Sequence, residues 1–257
     1  MIRSMGKHKL SDTLSVMGLK ASDNVIIHTS FRSLMPHVHH PNDVIEQVLS
    51  CIGSHGNLML PTFNYSRPLP EPYYDPQVTS CRTGSVPECG RHRDDAVRSL
   101  HPTHSVAVIG PDAQDLTHGH LNCRAFGRGS PIDLLARRGG KVLLLGVPQS
   151  TNSTIHIGEE YAHMPKRGVY DPMPTVKIRK PDGGMVEYQL DESPSCDSAF
   201  EVVALPLHAG GHVTHGTLGE CRLQLMDGKM VIDAVVKLIA DQPDALRCNN
   251  PNCDWCA

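Results

Sequence analysis

Residues 141–161 read KVLLLGVPQSTNSTIHIGEEY and join an apolar run to a polar segment that carries an imidazole. The run at residues 141–147 is typical of a strand buried on both faces of a sheet. At Pro148 the composition changes, and the following residues predict a loop and then a short helix. Such a segment brings side chains to the rim of a sheet, where open α/β proteins usually bind their ligands. We therefore expect residues 150–161 to form part of a functional site.

His156 and Glu159 are the candidate catalytic pair of this segment. Their spacing of three residues places both side chains on one face of a helix, and residues 152–154 offer side chains that can cap it. A histidine in the first turn lies at the positive end of the helix dipole, which favours the neutral imidazole that a general base requires. Glu159 would orient this base or bind a cationic substrate. Alternatively, Glu159 and Glu160 are simply first-turn carboxylates that the same dipole stabilises.

Strand and helix patterns alternate on both sides of this segment. Apolar runs that predict strands lie at residues 24–28, 57–63, 106–109 and 221–226. Helical spacing of apolar residues occurs at residues 10–17, 43–52, 199–207 and 229–241. Residues 175–179 and 185–189 flank K-P-D-G-G, which predicts a hairpin, and the proline-rich residues 65–88 predict a loop.

These patterns predict the α/β fold class. We expect a single domain with a mixed, largely parallel central sheet flanked by helices, and a smaller antiparallel hairpin subdomain. The domain is expected to span residues 1–257, with a Cys-rich tail at residues 247–257.

Composition narrows the class of partner. The formal net charge is −3 and the basic residues form no block, which argues against nucleic acid. No apolar window approaches the ~20 residues of a membrane span, and the first residues lack a signal-peptide core. We therefore expect a cytoplasmic protein that does not bind a membrane. Its nine cysteines are then expected to be reduced.

Two further polar segments adjoin predicted strands. His28 ends the strand at residues 24–28, and the hydroxyls of Thr29 and Ser30 follow it at the edge where ligands bind. Alternatively, His28 only bonds a loop carbonyl. Residues 97–110 read VRSLHPTHSVAVIG, and their arginine and hydroxyl groups suit an anion such as phosphate, although turn and capping residues give the same pattern.

The tail has the spacing of a partial zinc site. Cys248, Cys253 and Cys256 follow the pattern C-x4-C-x2-C, which supplies three thiols and resembles half of a zinc knuckle. A fourth ligand would come from elsewhere, with Cys196 and His208 as candidates. Alternatively, the three cysteines stay reduced and only close the fold.

In chain order these pieces resemble one family, the aminoglycoside 3-N-acetyltransferases, also called the antibiotic N-acetyltransferase family. The resemblance covers most of the chain. It runs through NVIIHTSFRSLM, DVIEQVLSCIGSHGNLMLPTF, TGSVPECGRH, VRSLHPTHSVAVIGPDA, SPIDLLARRGGKVLLLGV, NSTIHIGEE and VTHGTLGECRLQLMDGKMVID.

The resemblance implies an acetyl-CoA-dependent acyltransferase that modifies an amine of an aminoglycoside or related amino-sugar-like compound, as in antibiotic resistance. His156 matches the catalytic histidine of the family stretch N-T-x-x-H-x-x-E, within which this chain has Ser153. Glu159 matches the carboxylate that follows it. His28 matches the histidine that begins an H-S-S-like loop.

The resemblance also implies two sets of contacts and two partners, CoA and a small-molecule amine. The residues expected at CoA are Thr29, Ser30, Phe31, Arg98, Ser99, His101, Pro102 and Ser105. Relatives that act on polycationic aminoglycosides line the site with acidic residues, for which the candidates here are Asp75, Glu88 and Glu160, with Glu220 as a further one. We expect a monomer or a homodimer.

Three alternatives stay open at this point. His28, His156 and Glu159 could bind zinc and hydrolyse a substrate with a metal-activated water. The protein could be a biosynthetic acyltransferase that uses an amine other than an aminoglycoside. The nine thiols and the sparse acidic residues would also fit a ligand-binding or redox-sensing relative that has no catalytic activity.

Overall fold

A seven-stranded mixed sheet forms the centre of the protein in the computed structural model, which describes residues 9–64, 73–164, 174–190, 196–253 and 256. The strands are β1 (Asn24–Thr29), β2 (Asn57–Pro61), β3 (Tyr73–Tyr74), β4 (Ala96–Arg98), β5 (Val106–Ile109), β6 (Lys141–Leu145), β7 (Thr175–Arg179), β8 (Met185–Gln189), β9 (Val213–Leu218) and β10 (Cys221–Asp227). The helices are α1 (Leu10–Val16), α2 (Phe31–Leu34), α3 (Pro41–Ile52), α4 (Ser85–Gly90), α5 (Ala113–Thr117), α6 (Pro131–Arg137), α7 (Thr154–Tyr161), α8 (Ala204–Ala209) and α9 (Gly228–Asp241).

The parallel part of the large sheet lies at its centre. In the strand order β4-β5-β2-β1-β6-β10-β9, β1 pairs parallel with β2 and β6. The outer pairings are antiparallel. The predicted α/β class and mixed sheet are confirmed, with the parallel portion limited to three strands. The outer strands β4–β5 and β9–β10 form hairpins, whose short connections require antiparallel pairing.

Side chains of the central strands alternate between two apolar cores. Val25 and Ile27 of β1 pack in the layer that contains α1 and α3. Ile26, between them, packs in the opposite layer with α7 and α9. Leu143 and Leu144 of β6 divide between the layers in the same way. The central strands are therefore apolar on both faces, as the continuous run in β6 indicates.

The smaller sheet contains the predicted hairpin and one further strand. β7 and β8 pair antiparallel over the predicted residues, and β3 pairs parallel with β7. The prediction of a loop over residues 65–88 is wrong at β3 and in α4, while residues 65–72 lie outside the described residues. Pro87 stands in the first turn of α4, where a proline removes no intrahelical hydrogen bond. The high proline content therefore predicted a loop where the chain begins a short helix.

Two packing details control the segment around α7. The predicted helix at residues 199–207 is a 3-10 turn, Phe200–Val203, followed by α8. Gly158 allows α7 to pack closely against α9, since a Cβ atom built at Gly158 would lie 2.4 Å from Cβ of Val235.

No helix in the described part of the chain combines the length and apolar character needed to cross a membrane.

Candidate active site

The carboxyl ends of β1 and β6 lie side by side at one edge of the large sheet. The register pairs His28 with Leu144 and Thr29 with Leu145. After β6 the chain forms a 3-10 turn, Gln149–Thr151, and continues into α7. The polar segment therefore begins beside His28, at the edge where ligands bind in sheets of this kind.

A cavity of about 350 Å³ opens at this edge, and we call it the histidine cavity. The strand ends of the large sheet, the turn before α7 and the turn before α8 form its walls. Its lining residues are Ile27, His28, Thr29, Pro61, Phe63, Thr83, Pro87, His104, Phe126, Val147, Ser150, Thr151, Asn152, Ser153, His156, Asp197 and Phe200. The structure thus brings His28 and His156 together in one cavity.

The ring of His156 is held on three sides. Its Nδ1 lies 2.7 Å from Oε2 of Glu159. The ring stacks on Phe126, with 4.5 Å between centroids and an interplanar angle of 24°. Phe200 contacts it edge-on, at 4.7 Å between centroids. Its other nitrogen, Nε2, has no hydrogen-bond partner among the described residues, so this nitrogen is the one available to a ligand in the cavity.

The start of α7 depends on buried amides. Nδ2 of Asn152 donates to Oε1 of Gln149 at 2.9 Å, and Oδ1 of Asn152 accepts from the backbone N–H of Thr154 at 3.1 Å. Ser153 occupies the N-cap position but makes no side-chain capping bond. The predicted capping segment therefore begins the helix, with Asn152 as the side chain that satisfies a backbone donor.

His28 is a buried imidazole with an unused nitrogen. Burial lowers the pKa of His28 from 6.5 to about 3, so the ring is neutral near neutral pH. Its Nε2 and the hydroxyl of Thr29 find no hydrogen-bond partner among the described residues. Buried polar groups without partners are rare because each costs desolvation energy, and both residues line the histidine cavity.

A second cavity of about 750 Å³ adjoins the first, and we call it the arginine cavity. Arg32, from α2, and Arg222, from β10, line it and give it cationic groups. Val147 lines both cavities. Thr29 lines the first and Arg32 the second, so the intervening Ser30 and Phe31 link the two in sequence. Two carboxylates, those of Glu201 and of the candidate acidic residue Glu220, also line the arginine cavity.

Gly146 shapes the border between the two cavities. It follows β6 with a φ of +68°, and an added Cβ atom would lie 2.7 Å from Cβ of Ser33. Its backbone N–H donates to the carbonyl oxygen of Arg222 at 2.8 Å. The residue therefore requires both the backbone conformation and the small size of glycine.

The segment around Arg98 is buried and bonded within the protein. Arg98 donates from Nη1 to the carbonyl oxygens of Pro76 and Thr79, and from Nη2 to that of Thr62. Ser105 also donates to the Thr62 carbonyl, at 2.9 Å. Arg98 and Ser105 therefore have a structural role, because their side chains bond other parts of the protein.

The remaining predicted CoA contacts of this segment are also buried. Ser99 is bonded to Nδ1 of His120 at 2.8 Å, and His101 is fully buried. Neither these two residues nor Pro102, Arg98 and Ser105 line the histidine or the arginine cavity. Their contact with CoA stays a prediction. The same segment contributes His104, which was not among the predicted CoA contacts, to the histidine cavity.

The predicted acidic residues are held in local pairs. Arg91 bonds both carboxylate oxygens of Glu88 and lowers the pKa of Glu88 to about 2. Glu160 lies 3.6 Å from Arg124.

Asp75 is buried and accepts a hydrogen bond from the backbone N–H of Gln77.

Among the residues that line the histidine cavity, Asp197 carries the carboxylate, and sequence reasoning missed it. It lies far from the other site residues in sequence, and no motif marks it.

The tail cysteines meet one of their candidate partners. The Sγ atoms of Cys196, Cys248, Cys253 and Cys256 all lie within 4.8 Å of one another. His208 instead stacks on His215, with 4.8 Å between ring centroids. These four thiols form the one group in the described part of the chain whose side chains are placed to share a metal ion.

Comparisons with known proteins agree with this fold. Residues 26–240 match the family model described as aminoglycoside 3-N-acetyltransferase. Aminoglycoside N(3)-acetyltransferase VII of Streptomyces paromomycinus is 28% identical over 88% of both chains. Aminoglycoside N(3)-acetyltransferase VIII of Streptomyces fradiae is 34% identical over 67% of both. A solved structure of AAC-IIIb, binary with CoASH, has a TM-score of 0.78 at 23% identity and covers 90% of this chain and 95% of its own.

The α/β fold and these matches define an acyltransferase. More narrowly, the chain belongs to the aminoglycoside 3-N-acetyltransferase family. The resemblance inferred from the order of the sequence motifs is thereby confirmed.

Proposed function

We propose that the protein transfers the acetyl group of acetyl-CoA to an amine of an aminoglycoside or a related amino-sugar compound. The observation that carries this proposal is the pairing of His156 with Glu159 at the wall of the histidine cavity. Membership of the family and the acetyltransferase names of the relatives support the reaction class.

His156 is the general base in this proposal. When Nδ1–H donates to Glu159, Nε2 carries the lone pair and can accept a proton from the substrate amine. The amine nitrogen then forms a bond to the thioester carbonyl carbon. Collapse of the tetrahedral intermediate breaks the C–S bond and releases CoA as a thiolate. No covalent enzyme intermediate is needed, because the thiolate is already a good leaving group.

His28 and Thr29 stabilise the developing oxyanion. A neutral imidazole can donate one N–H, and the hydroxyl of Thr29 offers a second donor at the same wall of the cavity. Both groups lack partners among the described residues, so no existing bond has to break when the oxyanion forms. Donors arranged before the reaction in this way typically contribute about 10²–10³ in rate.

The arginine cavity holds the nucleotide part of CoA. Its volume of about 750 Å³ and the cationic groups of Arg32 and Arg222 suit a phosphate-bearing ligand. The thioester end reaches the histidine cavity past Val147, which lines both. Thr29 lines the histidine cavity, and Ser30 and Phe31 connect it in sequence to Arg32 of the arginine cavity, which supports their predicted contact with CoA.

Asp197 binds an ammonium group of the acceptor. Its carboxylate lines the histidine cavity, and the hydroxyl-bearing Ser150, Thr151 and Ser153 line it too. These groups suit a polycationic, hydroxyl-rich compound. The contacts of Asp75, Glu88 and Glu160 keep these carboxylates on local partners, so Asp197 is the better candidate for the acceptor.

A thiol-release assay with acetyl-CoA tests the proposal. The acceptor panel contains aminoglycosides with a free 3-amino group, aminoglycosides in which that amine is blocked, and simple amino sugars. We expect turnover with the first group and identification of the N-acetylated product by mass spectrometry. Turnover with simple amino sugars alone would instead indicate the biosynthetic alternative. Absence of thiol release with every amine would refute the proposal.

Substitution of His156 tests the base. His156→Ala should lower turnover by about 10²–10⁴ while acetyl-CoA still binds, because the lost group acts in the chemical step. The matched control is His118→Ala, at an exposed histidine away from the cavity. Normal turnover in His156→Ala would show that another group accepts the proton.

The metal-dependent hydrolase is less well supported. Nδ1 of His156 is already bonded to Glu159. His28, His156 and Glu159 do not form a group of ligand atoms close enough to share a metal, whereas the four cysteines do. Zinc that is lost together with activity in His156→Ala would favour hydrolysis.

A further inference from the structure

We propose that Cys196, Cys248, Cys253 and Cys256 bind one structural zinc ion that anchors a wall of the histidine cavity. Their Sγ atoms lie within 4.8 Å of one another, and none of the four cysteines forms a disulfide. A tetrahedral zinc site with Zn–S bonds of about 2.3 Å requires sulfur atoms about 3.8 Å apart. The observed separations exceed this value by at most about 1 Å, so the four sulfurs are already close to the arrangement that zinc requires.

Two turns present the tail thiols. The backbone N–H of Cys253 donates to the carbonyl oxygen of Asn250 at 3.0 Å, and that of Cys256 donates to Cys253 at 3.3 Å. Oδ1 of Asn250 accepts from the N–H of Asn252 at 3.0 Å. This local geometry turns the C-x-x-C pair toward one point, as in a zinc knuckle.

The fourth thiol comes from a buried and distant position. Cys196 is 7% exposed, and the other three cysteines are half-buried. Leu246, just before the tail, is fully buried in the apolar cluster that also contains Phe200 and Val203. The residue that precedes the tail is therefore buried in the same core as the segment that follows Cys196. Four thiolates complete the coordination of zinc and leave no open position, which is typical of a structural site.

The position of Cys196 connects this site to the histidine cavity. The next residue, Asp197, lines the cavity, and its carbonyl oxygen accepts the backbone N–H of Phe200 at 3.0 Å. Phe200 packs edge-on against His156. Glu201 accepts the backbone N–H of Gln149 at 2.9 Å, in the turn that precedes α7. A metal bound at Cys196 thus holds a segment that contacts both the base and the turn before its helix.

Metal content is the first test. The full-length protein, purified without added metal, should contain one zinc ion per chain and be colourless. Replacement by cobalt(II) should give the strong visible absorption of a tetrahedral thiolate site. Iron, which the same ligands also suit, would overturn the assignment to zinc. So would a metal-free chain with four titratable thiols, or disulfides among these cysteines.

Substitutions then locate the zinc. Cys196→Ser and Cys253→Ser should each lower zinc content about tenfold, since each removes a ligand from a site that folds with its metal. Cys51→Ser, at a half-buried cysteine of α3 that contacts α1, is the matched control and should keep its zinc. If a ligand variant does not fold, the wild-type metal content and cobalt spectrum still decide the proposal. Full zinc in a folded Cys196→Ser variant would refute it.

The expected effect on substrate binding rests on the proposed function. The anchoring of residues 196–203 by zinc does not. Removal of zinc from the wild-type protein should speed amide hydrogen exchange in residues 196–203 and leave residues 10–16 of α1 unchanged. The KM for the amine should rise more than the KM for acetyl-CoA. Unchanged exchange at residues 196–203 would refute anchoring. Absence of thiol release from the zinc-loaded protein would instead refute the proposed function, so the two failures are distinguishable.

Discussion

Nδ1 of His156 lies 2.7 Å from Oε2 of Glu159, which stands three residues further along α7. Both side chains are largely buried. The pair therefore fixes the ring of the proposed base by a bond within a single helix. The backbone of α7 sets the geometry of this pair directly, so the residues that hold α7 in place also hold the proposed base.

Glu159 should act on the orientation and tautomer of His156. Glu159→Ala removes the acceptor of Nδ1–H and should lower kcat by about 10–100-fold, since misplacing a reacting group costs this much. Glu159→Gln keeps an oxygen acceptor and should retain more of the activity. Steady-state kinetics with both variants, together with acetyl-CoA affinity, make the measurement. Equal losses in both variants would show that the carboxylate charge, and not the hydrogen bond, is required.

His28 should make stability depend on pH. Its pKa is about 3 in the folded protein and 6.5 in the unfolded chain, because burial disfavours the imidazolium. The unfolded state therefore binds the extra proton between these values, and stability is full above pH 6.5 and falls as the pH is lowered toward 3. At pH 4 this single group should reduce the free energy of unfolding by about 3 kcal/mol relative to pH 7.5.

Urea unfolding of the wild-type protein and of His28→Asn at several pH values checks this expectation. The variant should lose most of that pH-dependent difference, whereas His118→Asn, at an exposed position, should retain it. Parallel pH profiles for the wild-type protein and His28→Asn would contradict the expectation. His28→Asn should also lower kcat, because the variant loses the proposed imidazole donor.

Gly158 should be intolerant of a side chain. A Cβ atom at this position would lie 2.4 Å from Cβ of Val235, so Gly158→Ala must push α7 away from α9. We expect a loss of about 1–3 kcal/mol in the free energy of unfolding, as in other overpacked cores. The displaced helix should lower kcat as well.

Gly119→Ala is the matched control for this substitution. An added Cβ atom at Gly119 meets no atom within 4 Å. Thermal unfolding and kinetics of both variants make the comparison. Wild-type stability in Gly158→Ala would show that the two helices can separate without cost.

Arg222 should determine affinity for the acetyl donor. Arg222→Gln removes a cationic group from the arginine cavity and should raise the KM for acetyl-CoA about tenfold, the loss of a charge-assisted phosphate contact. The KM for the amine should stay the same. Arg137→Gln, at an exposed arginine of α6, is the control. A rise in the KM for the amine alone would assign the cavity to the acceptor.

Local patterns predicted the centre of the fold and part of the site. The run at residues 141–147 identified β6 because a strand buried on both faces must be apolar throughout. The change in composition at Pro148 then indicated where His156 would emerge. β4 and β9 were missed because edge strands are half-exposed and lack a strong apolar pattern.

The bonding partners and positions of these side chains could not be predicted from their residue types. Arg98 has the chemistry of an anion ligand, but its guanidinium is bonded to three backbone carbonyls. Asp197 and Phe126 enter the histidine cavity from loops with no motif. Such placement depends on contacts between distant parts of the chain, which a local pattern does not record.

Val147 lines both the histidine and the arginine cavity. In the proposed reaction, the side chain of Val147 separates the cavity that binds the donor from the cavity that binds the acceptor. Changes elsewhere in the arginine cavity would alter donor affinity, and changes near Asp197 would alter the choice of amine. A change in the volume of Val147 would affect both at once. One side chain beside an obligatory glycine thus limits the independence with which the two specificities can evolve.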